Sequence, residues 1–270
     1  MDYKFFLGIG VAVAIVFAGA VIFTQFAKHT PANSQERDTL YQVSTIDALV
    51  LGVYDGIEPV SAIKKHGDFG IGTFDALDGE MIVIDGRWYQ AKADGSVNPV
   101  SDTITSPFAT VTFFETDITD SPGRAMNFSG FSSAMAARLP SKNMIYAVKF
   151  QDTFPEMTVR AIPAQLKPYA SLTEAAKSQS VYTYTNVTGT VVGFYTPEFY
   201  KGVNVPGYHL HFISDDRKTG GHILDFVVPG DCTVQYDITP GFTMILPESG
   251  AFTGADLTKD QSAALEQVEK

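Results

Sequence analysis

Cysteine is nearly absent from this chain of 270 residues, Cys232 being the only one. A lone thiol excludes an internal disulfide and any metal site built on clustered cysteines. Cys232 follows Gly230-Asp231 in a strand-like stretch and reads as a small buried apolar residue. Positive charge is scarce as well: 19 Lys and Arg face 30 Asp and Glu, a net charge of −11. That balance excludes a nucleic-acid partner, because phosphate binding needs clustered lysine and arginine. A dinucleotide fingerprint is missing too. Gly70-x-Gly72 lacks both the third glycine and the helix that should follow. Internal repeats and low-complexity tracts are absent.

Long apolar runs are limited to one, Phe5 to Phe23, preceded by Met1-Asp2-Tyr3-Lys4. At about 19 residues it lies between a signal-peptide core and a spanning helix of ~20. Ala18-Gly19-Ala20 offers small residues for cleavage, yet apolar residues continue beyond them. No cysteine lies beside it, which argues against a lipoprotein anchor. Residues 1–36 therefore read as a signal peptide or membrane anchor plus a polar linker, with membrane attachment, where it exists, through residues 5–23. The remainder is expected to be extracytoplasmic: secreted, periplasmic or membrane-anchored.

Histidine is rare, with five in the chain, but three of them are His209, His211 and His222. Read as a strand, Tyr208 to Ser214 puts His209 and His211 on one face. Ser214 to Gly221 is polar and ends in glycines, so it reads as a hairpin tip, with His222 to Val228 returning. Pairing symmetric about Asp216/Arg217 sets His222 opposite His211 and turns all three imidazoles to one side. A one-residue slip would send His222 to the other face. Three converging imidazoles suit a divalent transition ion, zinc first, and leave a coordination position open for chemistry.

The rest of the pattern predicts an α+β fold of two lobes. Residues 37–170 form an N-terminal β-sheet lobe. Residues 171–270 form a C-terminal β lobe with the histidine hairpin and a final helix. Short helices are expected at Ala48–Tyr54, ended near Asp55-Gly56, and at Val60–His66, with His66 at free helix carbonyls. Met81–Ile84 and Arg87–Ala91, separated by Asp85-Gly86, signal a hairpin. Strands are also expected at Thr110–Glu115, Met144–Phe150 and Met157–Ala161, and a helix at Ser132–Leu139. Ser171-Leu-Thr-Glu174 has capping-box spacing and opens a helix to about Ser180. Further strands fall near 182–186, 188–195, 208–213, 222–228, 233–238 and 242–246, before a helix that follows Thr258-Lys-Asp-Gln261 and runs through Glu269.

Several long motifs coincide with one family. Gly67-Asp-Phe-Gly-Ile-Gly-Thr-Phe-Asp-Ala-Leu-Asp-Gly-Glu80, Asp85-Gly86 with Tyr89-Gln90, Lys167-Pro-Tyr169, Gly202 to Phe212, and Gly220-Gly-His-Ile-Leu-Asp-Phe226 closely resemble α-acetolactate decarboxylase, in order, from about Arg37 onward. The resemblance implies an α+β enzyme, homodimeric, that converts 2-acetolactate to acetoin and CO2 with zinc and no organic cofactor. Zinc would chelate the ketone and hydroxyl oxygens and stabilise the enediolate. The ligands it implies are His209, His211 and His222, the residues of the hairpin. It maps the site's arginine onto Arg160, its acidic group onto Glu80 and its threonine onto Thr73; the chemistry then suits Arg160 to the substrate carboxylate, and Glu80 or a tail glutamate to proton delivery. It also implies a second glutamate from the C-terminal segment, where Glu269, Glu266 and Glu248 compete and Glu269 is chosen. The histidines alone also fit a zinc hydrolase with Glu80 as general base, or a non-catalytic zinc-binding protein.

Overall fold

The computed structural model describes residues 37–269. The apolar run of residues 5–23 and the expected linker lie outside the described residues. Among those described, no helix is long and apolar enough to cross a membrane.

Two seven-stranded sheets dominate the described residues, beside a two-stranded pairing of Glu58–Pro59 with Thr105–Ser106. Their main strands are β1 (Thr39–Val43), β2 (Phe69–Thr73), β3 (Glu80–Ile84), β4 (Arg87–Ala91), β5 (Ala109–Thr112), β6 (Tyr146–Ala161), β7 (Ser180–Thr196), β8 (Gly207–Ser214), β9 (Gly220–Val228), β10 (Val234–Ile238) and β11 (Gly241–Ile245). The first sheet runs β11-β1-β5-β2-β3-β4, with Val97–Pro99 at its far edge. Only β11, beside β1, pairs in parallel there. The second runs β9-β8-β7-β6-β10, with Met126–Asn127 and Ile118–Asp120 at its two edges, and β9 also pairs with β6. That extra ladder closes β6, β7, β8 and β9 into a ring.

Alternation along the strands builds the layers. Ile82 and Ile84 of β3 face Val192, Phe194 and Ile213 of the second sheet. Met81 and Val83 face the other way, toward Val60 and Ile63 of the short helix α2 (Val60–Ile63). The second sheet's other face packs on Phe131 and Met135 of α3 (Phe128–Ala136). A third apolar cluster joins Ile46, Leu49 and Val50 of α1 (Ile46–Val50), Leu172 and Ala175 of α4 (Leu172–Ala175), and Leu265 and Val268 of the final helix (Ser262–Glu269).

The expected hairpin forms as read, with Asp85 (φ 50°) and Gly86 (φ 72°) both left-handed, as a two-residue turn between twisted strands requires. Other expectations are corrected. Residues 146–150 and 157–161 belong to one long strand, β6, which starts two residues later than expected, and 182–186 and 188–195 to its partner β7. Pro155, inside β6, sits opposite Asn186 at the single position the ladder skips, where its missing N–H costs no pairing. The lobe boundary expected at 170/171 falls inside the β6/β7 hairpin, and β11 belongs to the first sheet. The described residues lie in one compact unit.

Helix ends also differ. Thr45 caps α1 by accepting from the Ala48 amide (3.2 Å), but the helix stops at Gly52 (φ 88°) rather than Asp55-Gly56. α2 ends before His66, whose ring stacks on Tyr41 at 3.9 Å instead of lying on helix carbonyls. α3 starts at Phe128, because the Asn127 side chain accepts from the Gly130 amide. The Ser171 hydroxyl bonds Thr173 and makes no cap, and α4 gives way to a 3-10 turn at Ala176–Ser178.

Candidate metal centre

The register between β8 and β9 pairs His211 with His222, as symmetry about the turn requires. His209 lies two residues before His211, on the same face. All three imidazoles are buried, with ring centroids 5.1–5.4 Å apart. Their nitrogens lie within 4.8 Å of one another, a spacing that admits a metal ion. His211 Nδ1 donates to the Met81 carbonyl (2.8 Å), which can only accept. The proton is thereby held on Nδ1, and Nε2 presents a lone pair with no protein partner.

Arg160 reaches the same space from β6, where it pairs with His222 of β9. The ladder between these strands slips by one residue at Leu224, which keeps the two side chains together. The Arg160 guanidinium donates from Nη1 to Glu80 Oε1 (2.7 Å) and from Nη2 to Glu269 Oε1 (3.3 Å) and the Val268 carbonyl (3.2 Å). The other Glu80 oxygen lies 3.7 Å from His211 Nε2. Glu269 Oε2 points among the imidazoles, 3.2 Å from His209 Nε2 and 3.8 Å from His222 Nε2. Glu248 and Glu266, the competing tail carboxylates, are exposed and distinct from this group. Thr73 lines the same cavity, and its Oγ1 donates to the Gly79 carbonyl (2.7 Å), just before Glu80. Its hydroxyl holds the start of β3 in place.

Burial governs the charges. It pushes Glu80 up to about 7, opposed by Arg160 and reinforced by Glu269, and pushes Glu269 up to about 7 against Arg160. The imidazoles move the other way: His209 is lowered to about 3 by burial and then Arg160, and His211 and His222 fall well below the ordinary range for the same leading reason. The histidines are therefore neutral, and their contacts with Glu80 and Glu269 are not ion pairs. The unpartnered nitrogens of His211 and His222, with His209 beside them, offer lone pairs to an acceptor. That donor set fits zinc or another borderline divalent ion.

The residues that the motifs did not indicate are backbone and apolar ones. The carbonyls of Met81 and Val268 orient His211 and Arg160, and a main-chain acceptor leaves no mark in side-chain pattern. Ile46, Leu49, Leu77, Phe108, Ile162 and Leu172 form an apolar wall around a cavity of about 30 Å³ beside the histidines.

An α+β fold with a buried three-histidine centre, a buried arginine and two buried carboxyls defines an enzyme for a small substrate. The comparisons agree. The family model for α-acetolactate decarboxylase matches residues 40–259. The Methanosarcina mazei α-acetolactate decarboxylase is 55% identical over 234 residues, covering 86% of this chain and 81% of the relative. The Bacillus licheniformis enzyme of the same name is 41% identical, covering 86% and 92%. A crystal structure of the Bacillus subtilis enzyme superimposes with a TM-score of 0.82 at 41% identity, covering 86% of this chain and 99% of that one. The chain belongs to the α-acetolactate decarboxylase family. Glu269 lies beyond the span the family model matches, so its place beside the histidines is a finding of the structure itself.

Proposed function

We propose that His209, His211 and His222 hold a zinc ion, with Glu269 Oε2 as a further donor, and that this centre carries the family's decarboxylation of 2-acetolactate to acetoin and CO2. The supporting observation is the convergence of three buried imidazoles, in which His211 Nε2 and both nitrogens of His222 have no hydrogen-bond partner. A bound zinc ion would supply Lewis acidity toward the ketone and hydroxyl oxygens of the substrate. Arg160 binds the substrate carboxylate through its planar fork and screens its charge. As CO2 leaves, the C–C bonding pair moves onto the ketone oxygen. Glu80, which burial keeps protonated near neutrality, then delivers its proton to the carbon that lost CO2. The apolar wall excludes water and accommodates the two methyl groups. Hydrogen-bonded in turn to Arg160, Glu80 offers its proton from one side, which favours a single acetoin enantiomer.

The test is acetoin formation by the purified protein before and after chelation, with metal analysis of His211→Ala. Loss of activity on chelation, recovery with zinc, and loss of bound zinc in His211→Ala are the expected results. Activity indifferent to chelation, or full zinc in the variant, overturns the reading. The homodimer and the export of residues 37–270 belong to the same proposal; sedimentation analysis tests the first.

A further inference from the structure

The connection between β2 and β3, residues 74–79, holds two consecutive non-glycine residues in the left-handed region, Ala76 (φ 61°) and Leu77 (φ 60°). A side chain there crowds its own backbone, so residues in that conformation are mostly glycine or asparagine and mostly single. Such strain persists only where the surroundings dictate it. Here four hydrogen bonds do so. The Ala76 amide donates to the Tyr54 carbonyl (2.9 Å), and the Ala76 carbonyl accepts from the Gln165 amide (2.8 Å). The Gly79 amide donates to the Ile162 carbonyl (3.0 Å), and the Gln90 side-chain amide donates to the Asp78 carbonyl (2.6 Å). The strained backbone sets the aim of one side chain. Leu77 is buried and lines the metal cavity together with Glu80, Arg160 and the histidines. A right-handed backbone at Leu77 would send its Cα–Cβ bond in another direction.

The same turn is fastened to both groups at the reacting end of the substrate. It leads into Glu80 through the Gly79 carbonyl that Thr73 holds, and its bond to Ile162 ties it to the chain two residues beyond Arg160. Leu77, Glu80 and Arg160 are thereby spaced as one bonded unit. The carbon that loses CO2 takes the Glu80 proton and also bears the substrate's alkyl substituent, so that substituent has to lie beside the acid. We infer that Leu77 is the residue that reads its size, favouring 2-hydroxy-3-keto acids with a methyl group at C2 over those with a longer chain. The inference rests on the decarboxylation proposed for this centre. One side chain suffices, because an apolar pocket discriminates a single methylene by about 10- to 200-fold.

The probes are 2,3-dihydroxy-2-methylbutanoate and its 2-ethyl homologue, in which an alcohol replaces the ketone, so that no electron sink remains for CO2 loss. Their affinities for zinc-loaded protein are measured by calorimetry. Wild type should prefer the methyl probe. Leu77→Ala and Leu77→Gly should each move the ethyl-to-methyl affinity ratio about tenfold toward the ethyl probe. The same shift should appear in kcat/KM for 2-aceto-2-hydroxybutanoate against acetolactate. Leu172→Ala, in the same wall but on α4, should leave the ratio where it is. Thermal melts give a readout independent of any ligand. Glycine adopts φ near +60° freely and alanine does not, so Leu77→Gly should melt above Leu77→Ala, the reverse of their order in ordinary backbone. The glycine variant also serves where the alanine variant fails to fold. An unchanged ratio in the folded Leu77 variants, an equal shift in Leu172→Ala, or an alanine variant that melts above the glycine variant overturns the inference. Failure of wild type to bind either probe overturns instead the placing of the substrate at this centre.

Discussion

Arg160 is buried between two carboxyls and three neutral rings, so its own charge is the main cation in the site. Arg160→Lys keeps the charge and loses the fork. The variant is expected to fold and to bind zinc, with kcat/KM for acetolactate lowered by roughly 10²-fold, about 2.7 kcal/mol of transition-state stabilisation. Melting temperature, zinc content and acetoin formation on one preparation check it; a lowered melting temperature with near-normal turnover would make the arginine structural. The pH dependence of metal uptake follows from the same burial. The histidines are already neutral at pH 7, so zinc has no imidazole protons to displace there. Glu269 does hold a proton up to about 7. Below that pH the proton competes with the ion and above it the carboxylate is free, so zinc affinity should rise with pH and level off above ~7. Calorimetry across pH 5.5 to 8.5 measures the slope, and Glu269→Gln should flatten it. A slope that persists in that variant assigns the proton elsewhere. At this scale much was legible in the sequence. The histidine triad follows from strand alternation and a symmetric turn, both local rules. Glu269 was not separable from Glu248 and Glu266 by pattern, because nothing local distinguishes a helix carboxylate that faces a core from two that face solvent.

The site depends on how closely β7, β8 and β9 lie. Gly193 of β7 pairs with Leu210, and a Cβ there would meet the His209 carbonyl at 2.1 Å and the Leu210 Cα at 2.9 Å. Both are backbone atoms, so the strands themselves would have to separate. Gly193→Ala should cost about 2–4 kcal/mol and shift His209 and His211 off their common focus. Thermal melts with and without zinc are the check: the variant should melt lower and should lose most of the stabilisation that zinc gives wild type. A wild-type melting temperature would mean that the ladder tolerates the extra atom. Elements were read from sequence where the signal is short-range. Asp85-Gly86 and the hairpin tip at Ser214–Gly221 specify their own turns. The long strands β6 and β7 were each expected as two shorter strands, and β6 runs straight through Pro155. A proline is harmless where a long hairpin skips a rung, and only the partner strand shows where that occurs.

At the scale of the whole molecule, the expected division into two sequential lobes does not describe the sheets. β6 and β7 pair across residue 170, and β11 joins strands that precede it by most of the chain. Pairings between distant segments leave no periodicity to detect, so the α+β class was legible and the partition was not. Export is the remaining prediction at this scale. A fusion of residues 1–33 to a reporter active only outside the cytoplasm should be exported, because the run Phe5–Phe23 is long and uncharged. A reporter retained in the cytosol refutes it, and sedimentation of the exported product with membranes distinguishes an anchor from a cleaved signal.

The parallel seam between β1 and β11 also constrains the order of assembly. β1 cannot acquire its neighbour at Thr39–Val43 until Gly241–Ile245 is available, and Glu269 reaches the histidines later still. During synthesis or threading through a membrane from the N-terminal side, the first sheet must wait with an unpaired edge, a surface prone to wrong partners. Closure of that edge comes late and non-locally, which makes folding slow by loop-closure entropy. A chain broken off before residue 241 would have the histidine hairpin and Arg160 in full, yet would be the form most exposed to aggregation and to proteolysis. Quality control of this protein therefore falls on its final thirty or so residues, while the chemistry is encoded almost entirely upstream of them.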